Sequence, residues 1–87
     1  MHQSQRPAGS LSVHIGLVLD QIRLQARLTP EALARKTDFD LTYVTDILSG
    51  NAFPSRLFTL RYARASGVDP QLLLKVWEDE QARRRAR

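Results

Sequence analysis

The sequence contains no cysteine. That excludes disulfides, thiolate catalysis and cysteine-based zinc sites together. Stability must then come from one compact apolar core. Aromatics are scarce at 7% of residues, so each of the six is a landmark for packing. No apolar run approaches the ~18 to 20 residues of a membrane span. No basic leader precedes a secretory-type apolar segment, which makes the cytoplasm the expected location. No glycine-rich phosphate loop is present, and no spacing of metal ligands. With 87 residues, the chain has room for a single domain.

Positive charge is present, but unevenly. There are 13 Lys and Arg against 9 Asp and Glu, a net charge of +4. Arg83, Arg84, Arg85 and Arg87 all fall in the last seven residues, and the rest of the chain is balanced in charge. The folded part must therefore gather its arginines on one face if it is to hold phosphates.

Helical periodicity dominates the chain. Residues 1–11 are polar with Pro and Gly and read as a flexible N-terminal arm. A first helix is expected from Ser12 to Ala26, with Ile15, Leu19, Ile22 and Ala26 on one apolar face. Thr29, Pro30 and Glu31 form a helix start, and Leu33 and Ala34 are the inward side of that second helix. Asp38 occupies the turn that follows, and Phe39 plugs it. Asp40 caps a third helix with Val44, Ile47 and Leu48 inward, and Gly50 ends it. Ser55 caps a fourth, with Leu57, Leu60 and Ala63 inward, and Gly67 stops it. Asp69 and Pro70 open a fifth carrying Leu72, Leu73, Val76 and Trp77. The expected architecture is all-α: a compact five-helix domain over 12–80, with a basic tail at 81–87.

Catalysis needs groups that converge. Asp38 and Asp40 already have structural work in a turn and a cap. Glu78, Asp79 and Glu80 are consecutive and spread around a helix. His2 and His14 have no second ligand group beside them. The sequence therefore offers no catalytic residue, no metal site and no cofactor.

The second helix, its turn and the third helix form a helix-turn-helix signal. The pieces 28-LTPEALARKTDFD-40, 43-YVTDILSG-50, Pro54 and 60-LRYARASGVD-69 resemble the lambda-repressor-like Cro/C1, or XRE-type, helix-turn-helix family. An ordered set of Ser49 and Gly50, Pro54 and Ser55, Thr59, Tyr62, Arg64 and Ala65, Gly67 and Asp69 resembles small actinobacterial XRE-like proteins. The resemblance spans residues 12–77. It implies a sequence-specific transcriptional regulator whose partner is double-stranded DNA, with homodimers common in the family. It also implies that Leu41, Thr42, Tyr43, Thr45 and Asp46 face the major groove. Arg23 matches a family arginine that pairs with a glutamate late in helix three, where this chain has Leu48. Asp38 stands in place of the usual turn glycine, and Pro30 in place of a frequent glutamine.

Chemistry separates the roles at such a groove. Thr42 and Thr45 can donate to or accept from base edges, Leu41 can touch a thymine methyl, and Asp46 can accept from a cytosine amino group while repelling phosphate. Arg35 and Lys36 flank the groove. Ser49, Asn51, Ser55 and Arg56 lie where backbone amides and a helix start can hold phosphate. Arg61 and Arg64 read as a solvated helix face. The tail arginines attract nucleic acid without reading it, or serve as a solubilising helix end. A protein-interaction module on the same scaffold stays open, with Phe58 and Tyr62 as an aromatic partner seam or as the core edge. No membrane role is expected, because no apolar stripe accompanies the arginines.

Overall fold

A computed structural model of the chain describes residues 10–86, with side chains from Ile15 onward. Residues 1–9 of the arm expected over 1–11, the His14 side chain and Arg87 lie outside the described residues, His2 among them, whereas residues 10 and 11 belong to the first helix. Five helices follow in order: α1 (Ser10–Ala26), α2 (Pro30–Thr37), α3 (Leu41–Leu48), α4 (Arg56–Ser66) and α5 (Pro70–Arg85). No strand occurs among the described residues. The first helix begins two residues earlier than its apolar face indicates, at Ser10 rather than Ser12.

Local chemistry sets most of the helix ends. The Thr29 hydroxyl accepts from the Ala32 amide at 3.0 Å, with Pro30 next in the first helical position. Asp40 accepts from the Thr42 amide, Ser55 from the Phe58 amide and Asp69 from the Gln71 amide. Each satisfies a donor that a helix start leaves without an internal partner. Gly50 ends α3 at φ 86°, where the Gly50 amide donates to the Ile47 carbonyl and the Asn51 amide to the Asp46 carbonyl. These are the paired bonds of a Schellman motif. Gly67 ends α4 in the same left-handed region, and Val68 donates back to Ala63. Arg27 and Asp38 hold left-handed positions without being glycine, at φ 60° and 62°.

The core gathers Ile15 and Leu19 of α1, Leu33 of α2, Val44 and Ile47 of α3, Phe58, Tyr62 and Ala63 of α4, and Leu73 and Trp77 of α5. Ile22, Ala34 and Leu48 are half-buried against it. Two expectations are corrected. Leu57 and Leu72 face outward, being 50% and 62% exposed, and Leu60 is half-buried. α4 turns the face holding Phe58, Thr59, Tyr62 and Ala63 inward instead. The larger aromatic rings bury more apolar area than the leucines would. Thr59 can follow them because its hydroxyl donates to the Ser55 carbonyl at 2.9 Å. Thr37 is buried on the same terms, donating to the Leu33 carbonyl at 2.6 Å. Phe58 and Tyr62 are therefore core, and the proposed aromatic partner seam does not exist.

Two contacts fix α1. A Cβ placed on Gly16 would stand 2.6 Å from the Ile47 carbonyl oxygen and 3.3 Å from the Gly50 nitrogen. Only glycine lets α1 approach the end of α3 so closely. The Tyr62 hydroxyl donates to the Leu19 carbonyl at 2.6 Å. Burial raises the Tyr62 pKa well above the ordinary tyrosine value; nearby Arg23 lowers it and Asp20 raises it.

Gly16→Ala should lower stability by about 1 to 3 kcal/mol in urea melts through overpacking. That loss should exceed the roughly 1 kcal/mol that alanine gains in helix propensity. Tyr62 also makes stability depend on alkaline pH. Folded Tyr62 keeps a proton that the unfolded chain releases near pH ~10. Its stabilising share is thus complete below that pH and fades as pH rises above it. Tyr62→Phe should cost about 1 kcal/mol at neutral pH and flatten the alkaline decline. Urea melts across a pH series check both.

Candidate nucleic-acid interface

α2, the turn at Asp38 and Phe39, and α3 form the helix pair. Its crossing is held by rings. Phe39 stacks on Tyr43 with centroids 5.1 Å apart, and Phe58 meets both edge-on at 5.1 and 5.2 Å. Edge-to-face contact of this kind suits the charge distribution of aromatic rings. The turn, the middle of α3 and the start of α4 thus share one aromatic knot. Asp38 permits the turn by taking the left-handed cap, and its amide donates to the Ala34 carbonyl. Phe39 donates to that same carbonyl at 3.2 Å.

With Val44 and Ile47 buried, α3 leaves Leu41, Thr42 and Thr45 exposed and Asp46 half-buried. These four lie on the side of α3 away from the buried Val44 and Ile47. The Thr45 hydroxyl donates to the Thr42 carbonyl at 3.0 Å, which fixes its rotamer and leaves oxygen lone pairs for a donor. Asp46 has no ion pair among the described residues. Tyr43 is placed differently. Its ring is half-buried in the knot, and its hydroxyl accepts from the Ser55 amide at 3.0 Å.

The expected phosphate-facing residues separate into two groups. Ser49, Asn51, Ser55 and Arg56 are all exposed in and around the short α3–α4 connection. The Ser49 hydroxyl donates to the Asp46 carbonyl at 3.2 Å. Arg35 and Lys36 are exposed in the last turn of α2, where cations complement the helix dipole. Lys36 also lines a shallow cleft with Thr37, Asp38, Arg61, Arg64 and Ala65. Arg61 is no simple solvated residue. It donates to the Thr37 carbonyl at 3.0 Å and lies over the Phe39 ring at 5.7 Å. It therefore closes the end of α2 and covers the knot.

The basic tail is continuous with α5 through Arg85. Arg83 pairs with the buried carboxylate of Glu80 at 2.5 Å, and this hydrogen bond raises the arginine's pKa. Arg84 lies over the Phe53 ring at 4.1 Å. Arg23, the arginine that lacks a glutamate at position 48, pairs with Asp20 at 2.9 Å and donates to the Leu28 carbonyl at 3.2 Å. Arg23 is thus paired within α1 and closes the end of its own helix. The partners of Arg61 and Arg84 were not visible in the spacing of the charges, because both reach residues far away in sequence, whereas Arg83–Glu80 and Arg23–Asp20 are three residues apart on one helix.

Carboxylates do not converge. Asp40 is engaged as a cap, and no three His, Cys, Asp or Glu among the described residues group closely enough for a metal ion. No helix among the described residues is long and apolar enough to cross a membrane.

Two short helices at a tight turn, backed by three more, define a helix-turn-helix domain. The chain belongs to the helix-turn-helix domain family, of the XRE type, and matches it over residues 14–76. Domains of this family are regulatory and not catalytic. Membership supports a DNA-binding regulatory role in general. No curated protein and no solved structure matches the chain.

Proposed function

We propose that the protein is a sequence-specific DNA-binding transcriptional regulator that lays α3 in the major groove of double-stranded DNA. The observation that carries this reading is the uncovered face of α3. Leu41, Thr42 and Thr45 project from a helix whose opposite side is locked into the core. Packing fixes the helix and leaves that face to a partner. Thr42 and Thr45 supply hydrogen bonds to base edges, and Leu41 supplies apolar contact with a thymine methyl. Tyr43 leaves the base-reading set, since its ring is packed in the knot and its hydroxyl is engaged with Ser55. Ser49, Asn51, Ser55 and Arg56 flank one side with polar groups and a helix start suited to phosphate. Arg35 and Lys36 supply charge from α2.

In the tail, Arg83 is neutralised by Glu80, so non-specific attraction falls to Arg84, Arg85 and Arg87, Arg84 keeping its charge over the Phe53 ring. Binding as a homodimer on a palindromic site is part of the proposal, and so is a cytoplasmic location. The other reading, a protein-interaction module, loses its aromatic seam to the core and keeps only the uncovered α3 face.

Selection of bound sequences from a random duplex pool tests the reading directly. A palindromic motif is the expected outcome, and no enrichment would overturn it. Asp46 gives a sharper check. Asp46→Asn removes a negative charge from the groove side while keeping the shape. Affinity for random duplex should rise about 5-fold, on the order of 1 kcal/mol for one unscreened repulsion. Fluorescence anisotropy at fixed salt measures it. No duplex binding by either the wild type or the variant would move the function to a protein partner.

A further inference from the structure

The α3–α4 connection is held by more than its own chemistry. From α3, the Tyr43 hydroxyl accepts the Ser55 amide at 3.0 Å. From α5, the Trp77 indole donates to the Pro54 carbonyl at 2.8 Å, a buried bond spanning 23 residues. The Phe53 ring lies 6.1 Å from the Trp77 ring on one side and has the Arg84 guanidinium over it at 4.1 Å on the other. Three consecutive residues, Phe53, Pro54 and Ser55, are thus each seized by a side chain from another element. Ser55 itself, Arg56 next to it and nearby Asn51 are all exposed. A solvated loop of this length would ordinarily sample many conformations.

We propose that this connection is a preset phosphate-docking element, and that Tyr43, Trp77 and Arg84 are positioning residues that set it from off the DNA. The proposal rests on the DNA-binding reading above. It assigns α5 a part in affinity without contact with the duplex. Ordering the loop in advance removes an entropic cost that binding would otherwise carry. The last turn of α5 matters for where Arg84 holds Phe53 as well as for its charge. Base preference stays with α3, so positioning should change affinity on all sequences alike.

Tyr43→Phe isolates the effect, because the ring keeps its contacts with Phe39 and Phe58 and only the hydroxyl is lost. Affinity should fall about 3- to 10-fold on selected and shuffled duplexes equally, the equivalent of one modest hydrogen bond. Amide hydrogen exchange should quicken across residues 50–56 and stay unchanged at Val44 and Ile47. Arg84→Lys keeps the charge but gives a poorer ring contact. It should reproduce both effects more weakly, with the salt dependence of binding unchanged. Unaltered affinity and loop exchange in Tyr43→Phe would overturn the proposal. So would faster exchange throughout the core, which would mean general loosening. A fall for Arg84→Lys without faster loop exchange would make Arg84 a direct phosphate contact instead. Failure of the wild type to bind any duplex would overturn the underlying DNA reading, and shows in the wild-type titration before any variant is compared.

Discussion

Phe58 is the side chain on which the helix-turn-helix geometry depends. It is fully buried and touches Phe39 of the turn, Tyr43 of α3 and Tyr62 of its own helix. The α2–α3 angle is therefore set by contact with a helix outside the pair. α2 and α3 have eight residues each, too few to be stable as isolated helices. Their order comes from caps at both ends and from this ring contact. Because Phe39 and Tyr43 close on opposite sides of the Asp40 cap, a shift in Phe58 would be felt at the start of α3, where the exposed residues begin.

A second constraint acts from the other side. Gly16 brings the backbone of α1 against the Ile47 carbonyl and the Gly50 amide. The same two residues, Ile47 and Gly50, form one of the hydrogen bonds that terminate α3. The end of α3 is thus wedged against α1 while its start is tied to the knot. A helix fixed at both ends has little freedom to slide or rotate. Such rigidity suits a face whose few polar groups must meet a partner at hydrogen-bond distance.

The sequence made the local features plain and the long-range ones obscure. Thr29, Asp40, Ser55 and Asp69 cap helices through bonds that span two or three residues, so their spacing alone announces them. Gly50 and Gly67 act equally locally. The rotation of α4 was hidden because Leu57, Leu60 and Ala63 keep as good a helical period as Phe58, Tyr62 and Ala63. Tyr62 decides between them through a carbonyl 43 residues earlier. Gly16 looked like an ordinary helix residue until α3 lay beside it. At the interface, the exposed threonines of α3 followed from its period, whereas the capture of Tyr43 by Ser55 and of Arg84 by Phe53 required the fold. Arg27 holds a left-handed position with no residue type to signal it.

The single tryptophan of the chain is Trp77. It is 8% exposed, with its indole nitrogen bonded to Pro54 and its ring beside Phe53. The protein thereby carries an intrinsic optical reporter at the junction of α5 and the α3–α4 connection. Its emission senses local water, and no second indole obscures it. Detachment of α5 from the loop would be readable as a red shift in unlabelled protein. Docking of α5 can in this way be followed separately from the melting of helices.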